Sequence, residues 1–377
     1  MIIQNIGNVT WESYIFFAIL AVATIVSLCW KKKEDAGFPP SSTNELKGWA
    51  IILVVTSHIG YFLFANHQFL YPLSNIAGVG VDLFLFLSGF GLVASFYKKP
   101  LSAWDFYKKR LLKIFIPLWI VLIVYLLLDK FLLNQTYQLR TIIESFFGIF
   151  RSADIFRDIN SPLWYLTLIL FYYLTFPFVF IRERPGISAL LWFLAGYYFT
   201  TANFGYFNNV NHLHAWHIAA FPLGVWFAGL MNNPSVYLKN IAGWIQNVRL
   251  KTPAILRWSL RILSIAALLV AIGYWTINPG VGEGKWVVQT ISIITLLEIS
   301  LVVWLKPMRF RLLEWIGIYS YEIYLLHWPL LYRYDFILGR LPAGIAIVVA
   351  FVWIFGMSML LRYLSNLVGK ISFKPHL

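Results

Sequence analysis

The chain has 377 residues, of which 60% are hydrophobic and only 12% are charged. Soluble domains carry about 25% charged residues, so this composition excludes a soluble globular protein and indicates an all-α polytopic membrane protein. The single cysteine, Cys29, excludes an intrachain disulfide framework. The net charge of +14 comes without a nucleic-acid-binding motif, so we expect the bilayer and its anionic headgroups, rather than nucleic acid, as the partners of these charges. The sequence also shows no cluster of metal ligands.

Hydropathy over a window of about 19 residues predicts eleven membrane-spanning helices. They lie near residues 11–30, 47–66, 77–97, 114–133, 163–181, 187–203, 215–231, 258–277, 285–305, 314–332 and 342–364. The first span lacks the basic leader and cleavage site of a signal peptide, so we expect it to be retained. We therefore assign residues 1–44 to an extra N-terminal span with a basic loop, and residues 45–377 to a membrane domain of ten helices.

The basic residues predict how the chain is oriented. With the N-terminus outside, 22 of the 30 Lys and Arg residues fall on the inner side and only seven on the outer side. This positive-inside bias predicts a multi-pass plasma-membrane protein with its C-terminus in the cytoplasm. The internal repeat found in many transporters is missing. The sequence leaves open whether the protein forms a homo-oligomer.

The second span contains a lysine and a histidine, Lys47 and His58, eleven residues apart. On an α-helix they share one face and are separated by about 16 Å along the axis. A lysine that reaches the membrane surface and a histidine bonded across helices would be ordinary structural residues. Together on one stripe, a cation at the cytoplasmic mouth and an imidazole near mid-membrane indicate a functional path.

Two further groups extend this path. Asp82 opens the third span, and we expect it to pair with His58 and orient its imidazole. Arg110 and Lys113 share a face three residues apart on the same side as Lys47. A positive-inside flank would explain them, but with Lys47 they would also form a basic pocket suited to phosphates.

The tenth span carries a polar stripe in an apolar helix, because Ser320, Tyr324 and His327 recur at positions i, i+4 and i+7. We expect His327 at the outer end of this helix. There it would line the acceptor side or serve as an interfacial belt residue.

Four motifs now stand in order along the chain: Lys47-x10-His58, GVGVDLFLFLSGF at 78–90, FYKKRLLKIFIPLW at 106–119 and SYEIYLLHWP at 320–329. In this order and spacing they resemble the acyltransferase 3 family of integral-membrane acyltransferases. LWYLTLILFYYLTFP at 163–177 is a fifth, weaker match. Lys47 and Lys113 stand where that family more often has Arg, and Leu and Ile stand in 163–177 where it often has an acidic or amide residue.

The resemblance implies acetyl-CoA, or another acyl-CoA, as the cytoplasmic donor and a hydroxyl of a cell-surface or lipid-linked polysaccharide as the acceptor, with no metal. In this scheme His58 is a general base or transient acyl carrier, so direct transfer and an acyl-histidine relay both stay open. The implied site residues are catalytic His58, Asp82 and His327, donor-binding Lys47, Arg110 and Lys113, and acceptor-binding Trp164, Tyr165, Ser320 and Tyr324.

Two other functions compete with acyl transfer. One is a transporter or flippase of lipid-linked sugars, which would also need ionisable groups inside the membrane. The other is a glycan polymerase, in which Arg140, Arg151 and Arg157 of the loop at 134–162 would bind an anionic sugar chain.

Overall fold

The computed structural model describes residues 39–61, 76–154, 157–202, 205–232, 253–277, 286–305, 309–338 and 340–372, with residues 11, 14–16, 18, 19 and 22. In this part of the chain there are thirteen α-helices and no strand, so the all-α prediction is confirmed. Most of the first predicted span, 11–30, lies outside the described residues. The division into residues 1–44 and 45–377 therefore stays a prediction.

The helices are numbered here in chain order. They are α1 (Pro40–Tyr61), α2 (Ala77–Lys98), α3 (Ala103–Leu132), α4 (Leu139–Phe146), α5 (Trp164–Val179), α6 (Pro185–Thr201), α7 (Asn208–Ala215), α8 (Ala220–Asn232), α9 (Ala254–Ile277), α10 (Trp286–Leu305), α11 (Arg311–Ile318), α12 (Ser320–Tyr332) and α13 (Ala343–Ser372). Among the described residues, seven helical segments are long and apolar enough to cross a membrane. A polytopic membrane protein is thus confirmed, while the count of eleven spans stays a prediction.

Two predicted spans are broken in the structure. The span predicted at 314–332 divides at Tyr319 into α11 and α12, and the span predicted at 215–231 begins with a turn at 216–219 before α8. At Tyr319 the backbone N–H is shared between the carbonyls of Trp315 and Ile316, 3.4 and 3.1 Å away. Hydropathy does not reveal such breaks, because apolar residues flank them on both sides.

Helix α3 begins about eleven residues before the predicted span at 114–133. Its N-cap is Ser102, whose hydroxyl accepts a hydrogen bond from the backbone N–H of Asp105 at 3.1 Å. Such a cap satisfies one of the N–H groups that a helix leaves without an intrahelical partner. The basic motif around Arg110 is therefore helical and continuous with the apolar part of α3.

Helix α1, which carries Lys47 and His58, lies at the centre of the bundle. It packs against α2, α10, α11 and α12. Its contact with α11 is backbone to backbone, because a Cβ on Gly48 would overlap the carbonyl of Leu313 and one on Gly317 would overlap the carbonyl of Asn44. Small residues allow this approach between helices in membranes, where close van der Waals packing drives association.

Helices α2 and α8 approach each other just as closely. A Cβ on Gly224 would overlap the carbonyl of Phe86, and one on Gly89 would overlap the carbonyl of Phe221. Gly91, by contrast, has nothing within 4 Å of its Cβ position. Of the small residues at 88–91, Gly89 is therefore the one that sets the spacing between α2 and α8.

A buried ion pair fixes the connection between α4 and α5. The carboxylate of Asp129 is fully buried and accepts hydrogen bonds from Arg333 at 2.6 Å and from the hydroxyl of Tyr137 at 2.6 Å. The other arm of Arg333 donates to the carbonyl of Asp158 at 2.7 Å. Asn160 donates to the carbonyl of Leu325 at 2.8 Å. These bonds hold residues 158–160 against α12 and thereby bring the start of α5 to the same place.

We expect Gly317→Ala to destabilise the protein, because the new methyl group must push α11 away from α1. Overpacking of this kind typically costs about 1–3 kcal/mol. The measurement is the unfolding temperature of the solubilised protein. Gly356→Ala is the matched control, since its Cβ would meet nothing within 4 Å. Equal unfolding temperatures for the two variants would show that the α1–α11 contact tolerates a side chain.

Candidate active site

One cavity of about 1570 Å³ brings most of the predicted site residues together. Eight of the ten line it: Lys47, His58, Arg110, Lys113, Trp164, Tyr165, Ser320 and Tyr324. The other two, Asp82 and His327, lie behind its wall and are 1% and 0% exposed. The residues chosen from four separate motifs of the sequence thus converge on a single space.

The stripe predicted on α1 faces this cavity. Lys47, Val54 and His58 all line it, at spacings of seven and four residues that keep side chains on one face of a helix. The prediction that Lys47 and His58 share a face is confirmed. About 16 Å of helix axis separates them.

A cluster of cations forms one part of the cavity wall. Arg110 and Lys113 from α3 lie close enough to act electrostatically on Lys47 of α1, and so does Arg362 of α13. Arg362 also donates to the carbonyl of Ile318 at 2.5 Å. From the sequence, Arg362 is predicted only to be a charge on the inner side of the membrane. Its local sequence pattern does not show that α13 lies near Lys47 of α1.

Arg110 has an unused donor in this cluster. Its Nε is buried, and no acceptor among the described residues lies within hydrogen-bonding distance of it. A buried donor left without a partner costs about 1–3 kcal/mol, and more when it is charged. A phosphate or another anion in the cavity would remove that cost, so the residues present fit an anionic ligand.

His58 and His327 form a hydrogen-bonded pair between α1 and α12. The Nδ1 of His58 lies 2.7 Å from the Nε2 of His327, and the Nδ1 of His327 lies 2.8 Å from the carbonyl oxygen of Tyr324. A carbonyl only accepts, so Nδ1 of His327 carries the proton and its Nε2 is the acceptor. His58 then donates from Nδ1, which leaves the lone pair of its ring on Nε2.

The prediction that His327 lies at the outer end of its helix is wrong. His327 lies in the middle of α12, is 0% exposed and faces His58 rather than the cavity. The reason is the break at Tyr319, which shifts the helix start along the chain. His327 therefore orients His58 and fixes its tautomer, which is the task that the sequence had given to Asp82.

The predicted pairing of Asp82 with His58 is also wrong. The carboxylate of Asp82 accepts a hydrogen bond from His217 at 2.7 Å and another from the hydroxyl of Ser292. His217 belongs to the turn between α7 and α8, which the hydropathy window counted as part of one continuous span. No signal in the sequence connected three such distant positions.

Aromatic rings connect the two histidine centres. Tyr324 lies beside the ring of His327, with centroids 6.0 Å apart, and beside that of Tyr165 at 5.7 Å. Trp164, next to Tyr165, stacks on the ring of His217 with centroids 5.8 Å apart. The hydroxyl of Tyr324 donates to the carbonyl of Pro162, which ties α12 to the start of α5.

The arginines of the loop at 134–162 are largely paired with one carboxylate. Glu144 accepts hydrogen bonds from Arg140 at 2.7 Å and Arg151 at 2.6 Å. Burial alone would raise the pKa of Glu144, but hydrogen bonds from Arg140, Tyr206 and Arg151 outweigh it and hold this pKa below its ordinary value of 4.5. With two of its three arginines held by Glu144, the loop offers a glycan polymerase little free charge for an anionic chain.

The comparison with protein families supports an acyltransferase, without specifying the acyl donor or the acceptor. Residues 41–363 match the acyltransferase 3 family model, which describes an acyltransferase domain. The chain belongs to this family. Comparisons with curated proteins and with solved structures give no match. The matched residues contain the whole cavity wall except for Asn366, Leu367, Ser365 and Gly369, so the cavity is that of a membrane acyltransferase.

Proposed function

We propose that the protein transfers an acyl group, with acetyl as the first candidate, from cytoplasmic acyl-CoA to a hydroxyl of a cell-surface or lipid-linked polysaccharide. One observation carries this proposal. A single cavity is lined both by a cluster of cations, with the unused donor of Arg110, and by the imidazole of His58. An acyl-CoA has the same two parts, an anionic end and a reactive thioester at the end of a long arm.

The donor would bind with its phosphates among Lys47, Arg110 and Lys113. Arg362, which the sequence did not single out, adds a fourth charge to this group. Guanidinium groups bind phosphate through paired N–H donors, while lysine supplies a point charge. The pantetheine arm would then extend along α1, over the roughly 16 Å between Lys47 and His58.

His58 would supply acid–base catalysis. Its Nε2 takes the proton of the acceptor hydroxyl while the oxygen attacks the thioester carbonyl. A C–O bond forms, the C–S bond breaks, and the thiolate of CoA receives the proton from Nε2. The products are the ester and free CoA. In the relay alternative, Nε2 attacks the thioester first, so that a C–N bond forms, the C–S bond breaks and CoA leaves as its thiolate. The acceptor oxygen then forms the C–O bond as the C–N bond breaks, and the hydroxyl proton passes to the thiolate. In either route the hydrogen bond to His327 stabilises the positive ring.

The basic residues support a plasma-membrane location with the N-terminus outside and the C-terminus in the cytoplasm. In that orientation Lys47, Arg110 and Lys113 lie toward the acyl-CoA pool, and the acceptor approaches from the outer side. The match to the acyltransferase 3 family favours acyl transfer over a transporter of lipid-linked sugars or a glycan polymerase. No feature of the described residues favours either of them over acyl transfer.

We expect His58→Ala to reduce acylation by about 10²–10⁴-fold, which is the usual contribution of a general base. The measurement is mass spectrometry of surface polysaccharide from cells that lack the gene and receive it back as wild type or as a variant, at matched protein levels. His212→Ala is the control, because His212 is exposed and does not line the cavity. Wild-type acylation with His58→Ala would remove this histidine from the mechanism.

The same assay tests His327 as a positioning residue. His327→Leu removes the acceptor for Nδ1 of His58 and should lower acylation, while His327→Gln supplies an amide oxygen near the former Nε2 and should recover part of it. Equal losses in the two variants would mean that His327 only fills space.

We expect Arg110→Ala to weaken acyl-CoA binding by about tenfold or more, because hydrogen bonds to charged groups contribute about 1.5–3 kcal/mol. Lys47→Arg should be tolerated, because the charge is kept. Equilibrium binding of acetyl-CoA to the purified protein gives the measurement. Lys99→Ala is the control, since Lys99 is exposed and away from the cavity. If Arg110→Ala leaves the affinity for acetyl-CoA unchanged, Arg110 does not bind the donor and serves only as a positive charge that orients the chain in the membrane.

Sidedness can be measured with a membrane-impermeant thiol reagent in intact cells. Cysteines are placed singly at Thr136 and Lys99, two exposed positions, in a background with Cys29 replaced. Labelling at position 136 and protection at position 99 are expected from the distribution of Lys and Arg. The reverse pattern would place Lys47 on the outer side, where no acyl-CoA is present, and would contradict the proposed function.

A further inference from the structure

A second histidine, His217, lies at the cavity wall and is hydrogen-bonded to the carboxylate of Asp82, which also accepts a hydrogen bond from Ser292. The cavity is lined by His217, and Asp82 and Ser292 lie behind it. All three are almost fully buried, at 3%, 1% and 0% exposed. They come from three separate elements: α2, the turn between α7 and α8, and α10. A buried polar group costs free energy unless it has hydrogen-bond partners. Here the three side chains provide those partners for one another.

The hydrogen bond to Asp82 fixes which edge of His217 remains for a ligand. Nδ1 of the ring faces the carboxylate at 2.7 Å, so Nε2 lies on the far side of the ring. Among the described residues, none makes a hydrogen bond to this Nε2. The bond at Nδ1 therefore fixes the orientation of the imidazole, and Nε2 is available to a ligand in the cavity.

The elements around His217 are held rigidly. Gln289 of α10 donates to the carbonyl of Ala215 at 3.2 Å, just before the turn that carries His217. The close backbone contacts of Gly89 and Gly224 keep α2 and α8 in a fixed register. A site on rigid elements with supported side chains is what precise recognition requires.

The surroundings of His217 indicate the chemistry of the ligand. Trp164 stacks on His217 and also lines the cavity, so an aromatic surface adjoins a hydrogen-bonding group. Each Lys or Arg that lines the cavity lies at position 47, within 108–113 or at 362. The described walls of α2, α5 and the α7–α8 turn contribute none. This part of the cavity therefore fits a neutral ligand with an apolar face and hydroxyl groups.

We propose that His217 and Trp164 form the subsite for the acceptor sugar, with Nε2 of His217 hydrogen-bonded to a hydroxyl of a neutral sugar ring and the indole of Trp164 packed on its face. Asp82 and Ser292 act through His217 as positioning residues. This inference rests on the proposed function and adds to it the acceptor class, a neutral sugar rather than an anionic one. Rings of Tyr165 and Tyr324 lie between this subsite and His327, and the subsite shares one cavity with His58.

Two substitutions separate the edges of the imidazole. Asparagine at position 217 places an amide where Nδ1 was, so His217→Asn keeps the bond to Asp82 and loses the group at Nε2. Glutamine reaches the former Nε2 position, so His217→Gln keeps a ligand contact and gives up the bond to Asp82. If His217 has only a structural role, His217→Asn should keep more activity than His217→Gln. If His217 binds the sugar, His217→Gln should keep more activity than His217→Asn.

The experiment uses the full-length protein in lipid nanodiscs with acetyl-CoA as donor and octyl glycosides as acceptors, supplied as neutral glycosides and as a glucuronide. For His217→Asn we expect the KM for neutral glycosides to rise about three- to tenfold, as the loss of one hydrogen bond implies, with an unchanged KM for acetyl-CoA. His217→Gln should show a smaller rise. His212→Ala, an exposed histidine of α7, should leave both constants unchanged.

Saturation-transfer NMR with the same glycosides, in the absence of acetyl-CoA, separates this inference from the proposed function. If the wild type releases no thiol from acetyl-CoA yet transfers saturation to neutral glycosides, the sugar subsite stands and the proposed reaction fails. If acyl transfer proceeds but His217→Asn leaves the glycoside KM unchanged, the subsite is overturned and the reaction stands. Tighter binding of the glucuronide than of every neutral glycoside would also overturn it.

Discussion

The arrangement of this protein depends on the fact that a polar group inside a membrane has no water to bind. Each such group must find its partner on another helix, since an unsatisfied one costs several kcal/mol. His58 therefore pairs with His327, Asp82 pairs with His217, and Asp129 takes hydrogen bonds from side chains of two other segments. These pairs decide which helices are neighbours, because apolar surfaces alone would fit together in many ways.

The central position of α1 follows from a second constraint, close packing without large side chains. Gly48 and Gly317 let the backbones of α1 and α11 touch, and the polar face of α1 is thereby turned toward the cavity. The same contact places α11 and α12 so that His327 lies beside His58. The site thus owes its geometry to glycines that take no part in its chemistry.

Two imidazoles on one cavity are held in different ways, and the difference suits different tasks. His58 donates to a histidine whose own proton goes to a backbone carbonyl, so its outer nitrogen carries a lone pair that can accept a proton. His217 is bound to the carboxylate of Asp82 and adjoins the ring of Trp164, and within the described part of the chain no Lys or Arg is paired with it. The first arrangement fits proton transfer, and the second fits the recognition of a neutral hydroxyl.

The sequence by itself determined the membrane class, the helical fold and the choice of Lys47, His58, Arg110 and Lys113. These properties can be predicted from composition, from the spacing of residues along a helix and from the order of the motifs, all of which depend on residues close together in the chain. Only the tertiary structure decided that Asp82 binds His217 rather than His58. Helix period shows which residues share a face but not which helix that face meets. Which helix Asp82 faces depends on the packing of segments that are far apart in the chain, and the local sequence pattern does not predict this packing.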